Sequence, residues 1–495
     1  LDLILKKIAD KYKTTLQNKP SKEVQTLYIK IFNLLKDMII KMELPQNEML
    51  PASRLLAKEL GTSRSTIIRA YEFLRLEGFI DSKPGSGHVI KSLVTNTVRV
   101  KQDLSNYPTI SRLGDSFQKN SGLINSTDDK SVAFRPGLPP LDIFPVAQWK
   151  NLSNLYWKNI KLSNLSYSPA SGIDQLKLNI ANYLNLSRNI KCEPEQVLIM
   201  SGSLQSLYLA GSSLIDAGDD VVMENPTFPN VHSIFKGLMA NVHGVGLDNE
   251  GMKVEQLRSL NIKPKLIHTT PSCHYPSGTQ MSLQRRKELL DYANMHNSLI
   301  IENDYEHEIN NWDNPIPTIY GLDQQERTIY LGTFNRLLHP SLRIGYMVVP
   351  HYLKSVIEAL LKHSHRFVPT SIQVVLNQFI EKKYLYAHIK KVVAVAKKRQ
   401  QFFTQEFTSL FDGTNYNIVP SNTLSLQALV KIPNGSRDKD LVELISKHNI
   451  ITHSYSKCFI DPIGEQGLIL GYCSIRTPVI KNKLNQMNQI LRKGR

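Results

Sequence analysis

Cysteine is scarce in this 495-residue chain. The four present, Cys192, Cys273, Cys458 and Cys473, are scattered and form no C-x-x-C pair, which argues against a disulfide framework and against a zinc site. No metal is expected, and a reducing cytoplasm is the compartment that fits. Long hydrophobic runs are missing too. None approaches the ~18 apolar residues of a membrane span, so no membrane partner is expected. The amino terminus lacks a signal-peptide pattern, and the chain opens on Leu1, which suggests that the sequence begins inside a reading frame. Acidic residues are the third deficit: 43 Asp and Glu face 60 Lys and Arg, giving a net charge of +17 and a pI near 9.4. That balance suits a polyanion binder, although a basic surface alone is as often a solubility device. With 41% apolar and 21% charged residues, the chain can build substantial cores in roughly three domain-sized units.

What is present begins, after an extension over residues 1–23, with an amphipathic pattern from Val24 to Lys41. Leu27, Ile31, Leu34, Leu35, Met38 and Ile39 repeat at the 3.6-residue period of a helix packed on one face. Pro45 and Asn47 end it. Ser53 then offers an N-cap for a short helix, Arg54 to Leu60, and Gly61-Thr62-Ser63 reads as a turn and second cap. The next helix, Arg64 to Glu77, has Ile67, Ala70, Tyr71 and Leu74 on one side and Ser65 and Arg69 on the other. A short helix, a three-residue turn and a longer helix make a helix-turn-helix. Phe79 to Ser82 and His88 to Lys91 read as strands joined by Lys83-Pro84-Gly85-Ser86-Gly87, a hairpin tip. The whole is a winged helix over residues 24–92.

The string LPASRLLAKELGTSRSTIIRAYEFLRLEGFIDSKPGSGHVI resembles the DNA-binding domain of the GntR family from Met49 to Ile90. Double-stranded operator DNA is the partner this implies. The positive amino terminus of the second helix, carrying Ser63, Arg64, Ser65 and Thr66, can approach phosphates and base edges in a major groove. Arg64 is either a reader of guanine or a phosphate clamp. Arg69 faces outward, and Arg54, Lys83, Gly85 and His88 are expected along the DNA backbone. The family often has Gly where Met42 and Asn47 lie, so a local change is expected there.

Residues 93–130 are polar and without sustained periodicity. They read as a long, partly ordered tether, or as an arm docking on a partner subunit through Tyr107, Ile110 and Leu113. From residue 131 to the end, helices alternate with short apolar strands at Val197–Met200, Val221–Glu224, Leu266–Thr269, Leu299–Glu302, Thr328–Leu331 and Ile344–Val349. Such a pattern is an α/β fold with a mostly parallel sheet, and ligands sit beyond the carboxyl ends of its strands.

The residues just past those ends carry a second resemblance. YLGTFNRLLHPSLRIGYMVVP (Tyr330 to Pro350) resembles the cofactor-lysine loop of fold-type I aminotransferases in the form found in MocR-type regulators. Supporting landmarks are FRPGLPPLDIFP (134–145), MSGSLQSL (200–207), ENPTFP (224–229), TPSCHYPSG (270–278), IIENDY (300–305) and GLILGY (467–472). The resemblance implies a phosphate pocket at Gly202, Ser203, Thr333 and Arg343, an aromatic face at Phe228 and a phenol at Tyr305 for the ring of pyridoxal 5′-phosphate (PLP). Asn303 falls where the family has the Asp that protonates the ring nitrogen, with Asp304 facing away. Arg336 falls where the family has the lysine that binds PLP covalently. A guanidinium with a pKa above about 12 stays protonated and cannot condense with an aldehyde.

Leu204, Cys273 and Ser425 are further departures, and Arg476 is the available substitute for a missing carboxylate-binding arginine. Arg336 and Arg343 together predict a strongly electropositive pocket. PLP or a related phosphorylated ligand held without a covalent bond, or no cofactor at all, is therefore expected. The function implied is a homodimeric, cytoplasmic DNA-binding transcription regulator whose aminotransferase-like domain senses a small-molecule effector without turnover. The competing reading is a PLP-dependent aminotransferase with an attached DNA-binding domain.

Overall fold

Periodic apolar residues build one core in the first of two units, Leu1–Thr109. Ile31, Leu34, Leu35, Met38 and Ile39 of the helix Leu27–Ile40 pack on Leu56 of Ser53–Glu59 and on Ile67, Ala70, Tyr71 and Leu74 of Arg64–Leu76. The computed structural model describes residues 2–17, 26–83, 87–91, 108–124, 131, 133–310, 316–421, 423–461 and 465–493. Strands β1 (Ile80–Lys83) and β2 (Gly87–Ile90) pair antiparallel with Lys83 opposite Gly87, forming the wing. Met42 and Asn47, with φ of 55° and 63°, are both left-handed.

Two expectations change here. Within residues 1–23 lies a helix, Asp2–Tyr12, whose Ile4, Ile8, Ala9 and Tyr12 are buried in the winged-helix core. Ser53 is not an N-cap but the first helical residue, with Ala52 before it.

The second unit, Ile110–Arg495, contains an eight-stranded sheet. Its strands are β3 (Val197–Met200), β4 (Asp220–Asn225), β5 (Asn241–Asp248), β6 (Gly251–Met252), β7 (Leu266–Thr269), β8 (Leu299–Asn303), β9 (Thr328–Thr333) and β10 (Gly345–Val348). The order is β3-β10-β9-β8-β7-β4-β5-β6. The run β5-β4-β7-β8-β9 is parallel, while β10 lies antiparallel between β9 and β3. Both faces are covered, because alternate residues go to opposite cores. Leu198 and Met200 pack with Leu207 and Ile357, whereas Val197 and Ile199 pack with Leu176 and Ile180. A second, antiparallel sheet joins β11 (Asn417–Ile418), β12 (Gln427–Lys431), β13 (His453–Ser454) and β14 (Gly467–Gly471) in the order β11-β12-β14-β13. The helices Tyr384–Leu410 and Thr477–Lys493 share its core.

The boundary between units falls inside the stretch 93–130, of which residues 108–124 are described and carry a helix; Tyr107 lies outside the described residues. Ser111 caps a helix, Arg112–Asn120, by accepting from the Gly114 N–H. The helix is seated on Pro229–Gly237 of its own unit. Ser116 Oγ donates to the Lys236 carbonyl at 3.0 Å and Ser233 Oγ to the Asn120 carbonyl at 3.0 Å. Phe117 lies so close over Gly237 that a Cβ there would stand 2.3 Å from its ring. Polar composition hid this helix, since only one aromatic per two turns faces inward.

Gly237→Ala is therefore expected to displace Phe117 and to raise amide hydrogen exchange across Arg112–Asn120 while leaving the strands of the large sheet protected. Exchange unchanged over those nine residues would show that the ring does not hold the helix.

Candidate functional site

The carboxyl ends of β3, β4, β7, β8 and β9 lie at one edge of the large sheet, as their pairing requires. Past β3, Gly202 (φ 115°) precedes the 12-residue helix Ser203–Leu214. A Cβ on Gly202 would stand 3.1 Å from Asn335 Nδ2 and 3.7 Å from an Arg343 guanidinium nitrogen. The missing side chain thus leaves a cradle where helix N–H groups, an amide and a guanidinium converge, the combination that holds a phosphate. The loop after β9 is fixed to serve it. Thr333 Oγ1 accepts from the Asn335 N–H at 3.2 Å, and Asn335 Oδ1 accepts from the Ile344 N–H at 3.2 Å. Among the described residues no carboxylate pairs with Arg343, so its charge is available to a ligand.

Next to the cradle stand aromatic walls. Phe228 meets Tyr275 edge to face at 4.9 Å, and both share a small cluster with Tyr305. Tyr305 Oη is buried and has no hydrogen-bond partner among the described residues, an orphan polar atom of the kind a ligand completes. At the end of β8, Asn303 Nδ2 lies 3.4 Å from His268 Nε2. Burial, helped by His274, pushes the His268 imidazole down to about 3, so it is neutral. Asp304 points to the opposite side, where Arg188 Nε at 2.8 Å and Tyr330 Oη at 2.7 Å donate to it. Burial alone would raise the Asp304 carboxyl, but Arg188 and His307 outweigh it and hold it below the usual range.

Arg336 is the point where the structure adds most. Its Nη1 donates to Glu306 Oε1 at 2.9 Å, and its guanidinium carbon stands 5.0 Å from the Tyr305 ring centroid. Glu306, left-handed at φ 60°, is wholly buried. Its other oxygen accepts from the Leu426 N–H at 3.2 Å and from Ser425 Oγ at 3.4 Å. Burial pushes the Glu306 carboxyl up, and Arg336 with these donors pulls it back only in part. The expectation of a strongly electropositive pocket is therefore corrected, because Glu306 compensates one of the two arginines. Gly137 (φ 74°) makes room, since a Cβ there would lie 2.2 Å from Arg336 Nη1. Arg476 is no substitute anion binder: it is 73% exposed and paired to Asp142 at 3.2 Å.

In the winged helix, Ser63 Oγ accepts from the Thr66 N–H at 3.2 Å and lies 2.8 Å from Ser65 Oγ. The cap thereby presents the first turn of Arg64–Leu76. Arg64 is exposed and reaches Ser53 Oγ at 3.4 Å, so the two helices share one polar edge with exposed Arg54. Arg69 is also exposed, held 4.9 Å over the Tyr28 ring. His88 sits in strand β2 of the wing. It is half-buried against Tyr71 at 5.1 Å and Ser82, and burial beside Arg75 lowers its pKa, so it brings no charge near neutral pH. Gly85 and the Lys83 side chain lie outside the described residues.

Glu306 and His268 escape a sequence reading, while Gly137 and Tyr275 lie within the landmark strings without a role being assigned to them. Glu306 lies in a string, Glu306-His307-Glu308, where nothing marks which carboxylate turns inward. The only available signal is that an arginine in an apolar loop needs an acid to meet it.

A winged helix joined to a body with the aminotransferase fold and a phosphate cradle defines a DNA-binding regulator built on an enzyme scaffold. Residues 142–460 match the family model "Aminotransferase class I and II", and residues 27–90 match "Bacterial regulatory proteins, gntR family". The probable rhizopine catabolism regulatory protein MocR of Rhizobium meliloti is 27% identical over 461 residues, 93% of each chain. The uncharacterized HTH-type transcriptional regulator YhdI of Bacillus subtilis is 30% identical over 458 residues, 90% of this chain and 92% of that one. Among solved structures, LysN, the α-aminoadipate aminotransferase of Thermus thermophilus in complex with N-(5′-phosphopyridoxyl)-L-leucine, superposes with a TM-score of 0.69. It is 20% identical and covers 76% of this chain and 97% of its own, which establishes the shared fold. The chain belongs to the class I and II aminotransferase family and, through its winged helix, to the gntR family of regulators, with relatives of the MocR type.

PLP is the cofactor of enzymes with this fold. Here the cradle at Gly202, the flat wall at Phe228 and the orphan Tyr305 hydroxyl have the chemistry that fits its phosphate and ring.

Because Glu306 is fully buried, Arg336→Met should cost about 3 kcal/mol of stability near pH 8, the scale of breaking a buried pair. The folded-state pKa of Glu306 is already raised, and losing Arg336 raises it further. The folded variant then takes up a proton before the unfolded chain does, so its stability recovers as pH falls toward the carboxylate range. Adding Glu306→Gln should restore most of the loss at pH 8. Denaturant unfolding of the three proteins at pH 5 and pH 8 reads each outcome directly.

Proposed function

We propose that this chain is a cytoplasmic, homodimeric transcription regulator whose aminotransferase-like domain binds a phosphorylated small molecule reversibly and does not turn over amino acids. The observation that carries the reading is the pair of arginines. Arg343 stands unpaired among the described residues at the cradle, where it attracts a phosphate. Arg336 is held by Glu306, where an enzyme of this kind would need a nucleophilic amine.

When bound, PLP supplies an electrophilic carbonyl and an electron-withdrawing ring. This chain's own residues do only part of what such chemistry requires. Gly202, Ser203, Thr333 and Arg343 would hold its phosphate, Phe228 would cover one ring face, and the Tyr305 hydroxyl would be the donor for a ring oxygen. Asn303 is an amide backed by a neutral imidazole, so it cannot hold a proton on a ring nitrogen by charge. Binding and orientation survive, while covalent attachment and proton retention are lost.

A second copy of the chain is the partner favoured by the exposed apolar run around the helix Val146–Lys158. Trp157, Leu162, Leu165 and Tyr167 are 59%, 87%, 63% and 77% exposed, a patch of the kind that marks an interface. Two copies bring two winged helices to one operator, and a ligand that prefers one arrangement of the dimer shifts DNA affinity. None of the described helices is long and apolar enough to cross a membrane.

Incubation with PLP, 2-oxoglutarate and a panel of amino acids should yield no keto acid above the uncatalysed rate. Sustained conversion would overturn the proposal in favour of an aminotransferase carrying a DNA-binding head. On a duplex selected from random sequence, Arg64→Ala should weaken binding by about 1–3 kcal/mol and relax preference at one base pair if Arg64 reads a base. A uniform loss with a shallower salt dependence would assign it to a phosphate instead.

A further inference from the structure

Arg336 is built into its place. Three features of the chain surround it: the absent side chain at Gly137, the Tyr305 ring beneath it and the left-handed Glu306 that it pairs with. The pair is also asymmetric. Glu306 has no exposed side-chain surface, whereas Arg336 is 20% exposed. The carboxylate therefore forms the back of the pair and the guanidinium its front. Of the pair, the guanidinium over Tyr305 is thus the member open to a ligand.

The surroundings carry the same sign. His453 stands beside Tyr275, its Nδ1 3.2 Å from the Tyr275 hydroxyl. Burial, with Arg135, Lys457 and Arg336 nearby, pushes its pKa down to about 4. Arg135 and Lys457 thus place further positive charge on the Arg336 side of the site. Opposite, the cradle at Gly202 and Arg343 anchors a phosphate, so the ligand's remaining substituents are presented to a fixed point.

Resting on the reading of a phosphorylated ligand, we propose that Arg336 is a specificity residue. It admits phosphate esters that carry a hydrogen-bond acceptor, a carbonyl or carboxylate oxygen, at the ring substituent beside it, and rejects those that carry an amine there. A carbonyl oxygen accepts from the guanidinium without disturbing the bond to Glu306. An ammonium brings positive charge against N–H donors, and its natural partner, Glu306, is screened behind Arg336. The vitamin B6 phosphates are suitable probes because they differ at this one substituent. No bond is formed in the process, so the occupant exchanges freely, and the site follows the concentration of the acceptor form in solution.

The experiment is calorimetric titration of the full-length protein with the carboxylate, aldehyde, alcohol and amine forms, namely 4-pyridoxic acid 5′-phosphate, PLP, pyridoxine 5′-phosphate and pyridoxamine 5′-phosphate. The carboxylate and aldehyde forms should bind at least tenfold more tightly than the amine, with the alcohol between them. The doubly substituted Arg336→Gln, Glu306→Gln chain keeps a neutral hydrogen-bonded pair in the same space, which guards against unfolding, and thermal melting confirms its fold. In it the preference for the carboxylate and aldehyde over the amine should shrink to within threefold. Amine binding equal to or tighter than carboxylate binding in the parent overturns the specificity proposal and leaves the phosphate-sensing reading standing. An undiminished preference in the double variant also overturns it. Failure of all four to bind, with inorganic phosphate likewise silent, overturns both.

Discussion

A carboxylate with no access to water must be neutralised from within, and Glu306 is that carboxylate. The effective penalty for burying such a charge is several kcal/mol, while a hydrogen bond to a charged group returns about 1.5–3 kcal/mol. One donor does not suffice. Glu306 takes Arg336 from the loop after β9 and the Leu426 N–H and Ser425 hydroxyl from the segment entering β12. Satisfying one charge thus ties the site loop of the large sheet to the smaller sheet. The left-handed backbone at Glu306 and the bare Gly137 follow from the same requirement.

The contrast between the two arginines then explains what the pocket can and cannot do. Arg336 has its charge taken by a protein carboxylate, and Arg343, among the described residues, has not. An incoming dianion meets an uncommitted guanidinium at Gly202 and a committed one above Tyr305. On the reading proposed above, affinity belongs to the first and discrimination to the second. Had both arginines been uncompensated, phosphate would be drawn to either, and orientation would be lost. A ligand held at a defined end needs this division of labour more than it needs total positive charge.

Legibility from sequence follows the same physics. The winged helix could be read because its periodic residues, Ile67, Ala70, Tyr71 and Leu74, meet a core, and because Ser63 caps a helix by local chemistry alone. Strands β3, β4, β7, β8 and β9 could be placed because buried parallel strands are short apolar runs. Gly202 and Arg343 came from their resemblance to a known loop, and the structure brings them together. The helix Asp2–Tyr12 was missed where charged residues mask four inward positions, and Arg112–Asn120 where one aromatic does the docking. Glu306 was missed for a deeper reason. Its burial depends on a left-handed residue and on partners 30 and 120 residues away, neither of which leaves a local trace.

The docked helix bears on how a ligand could be felt elsewhere. Phe228, an aromatic wall of the site, is the N-cap of Pro229–Gly237, and Phe117 is seated on the last residue of that same helix. Nine helical residues span roughly 13 Å, so the wall of the pocket and the seat of the linker are two ends of one short rod. A rod transmits only what displaces it. Occupancy reaches the linker to the extent that the ligand contacts Phe228 differently in two placements of this helix. Covalent attachment would add nothing to that difference. On the reading proposed above, a reversible, oriented occupant is enough for such a scaffold to act as a sensor.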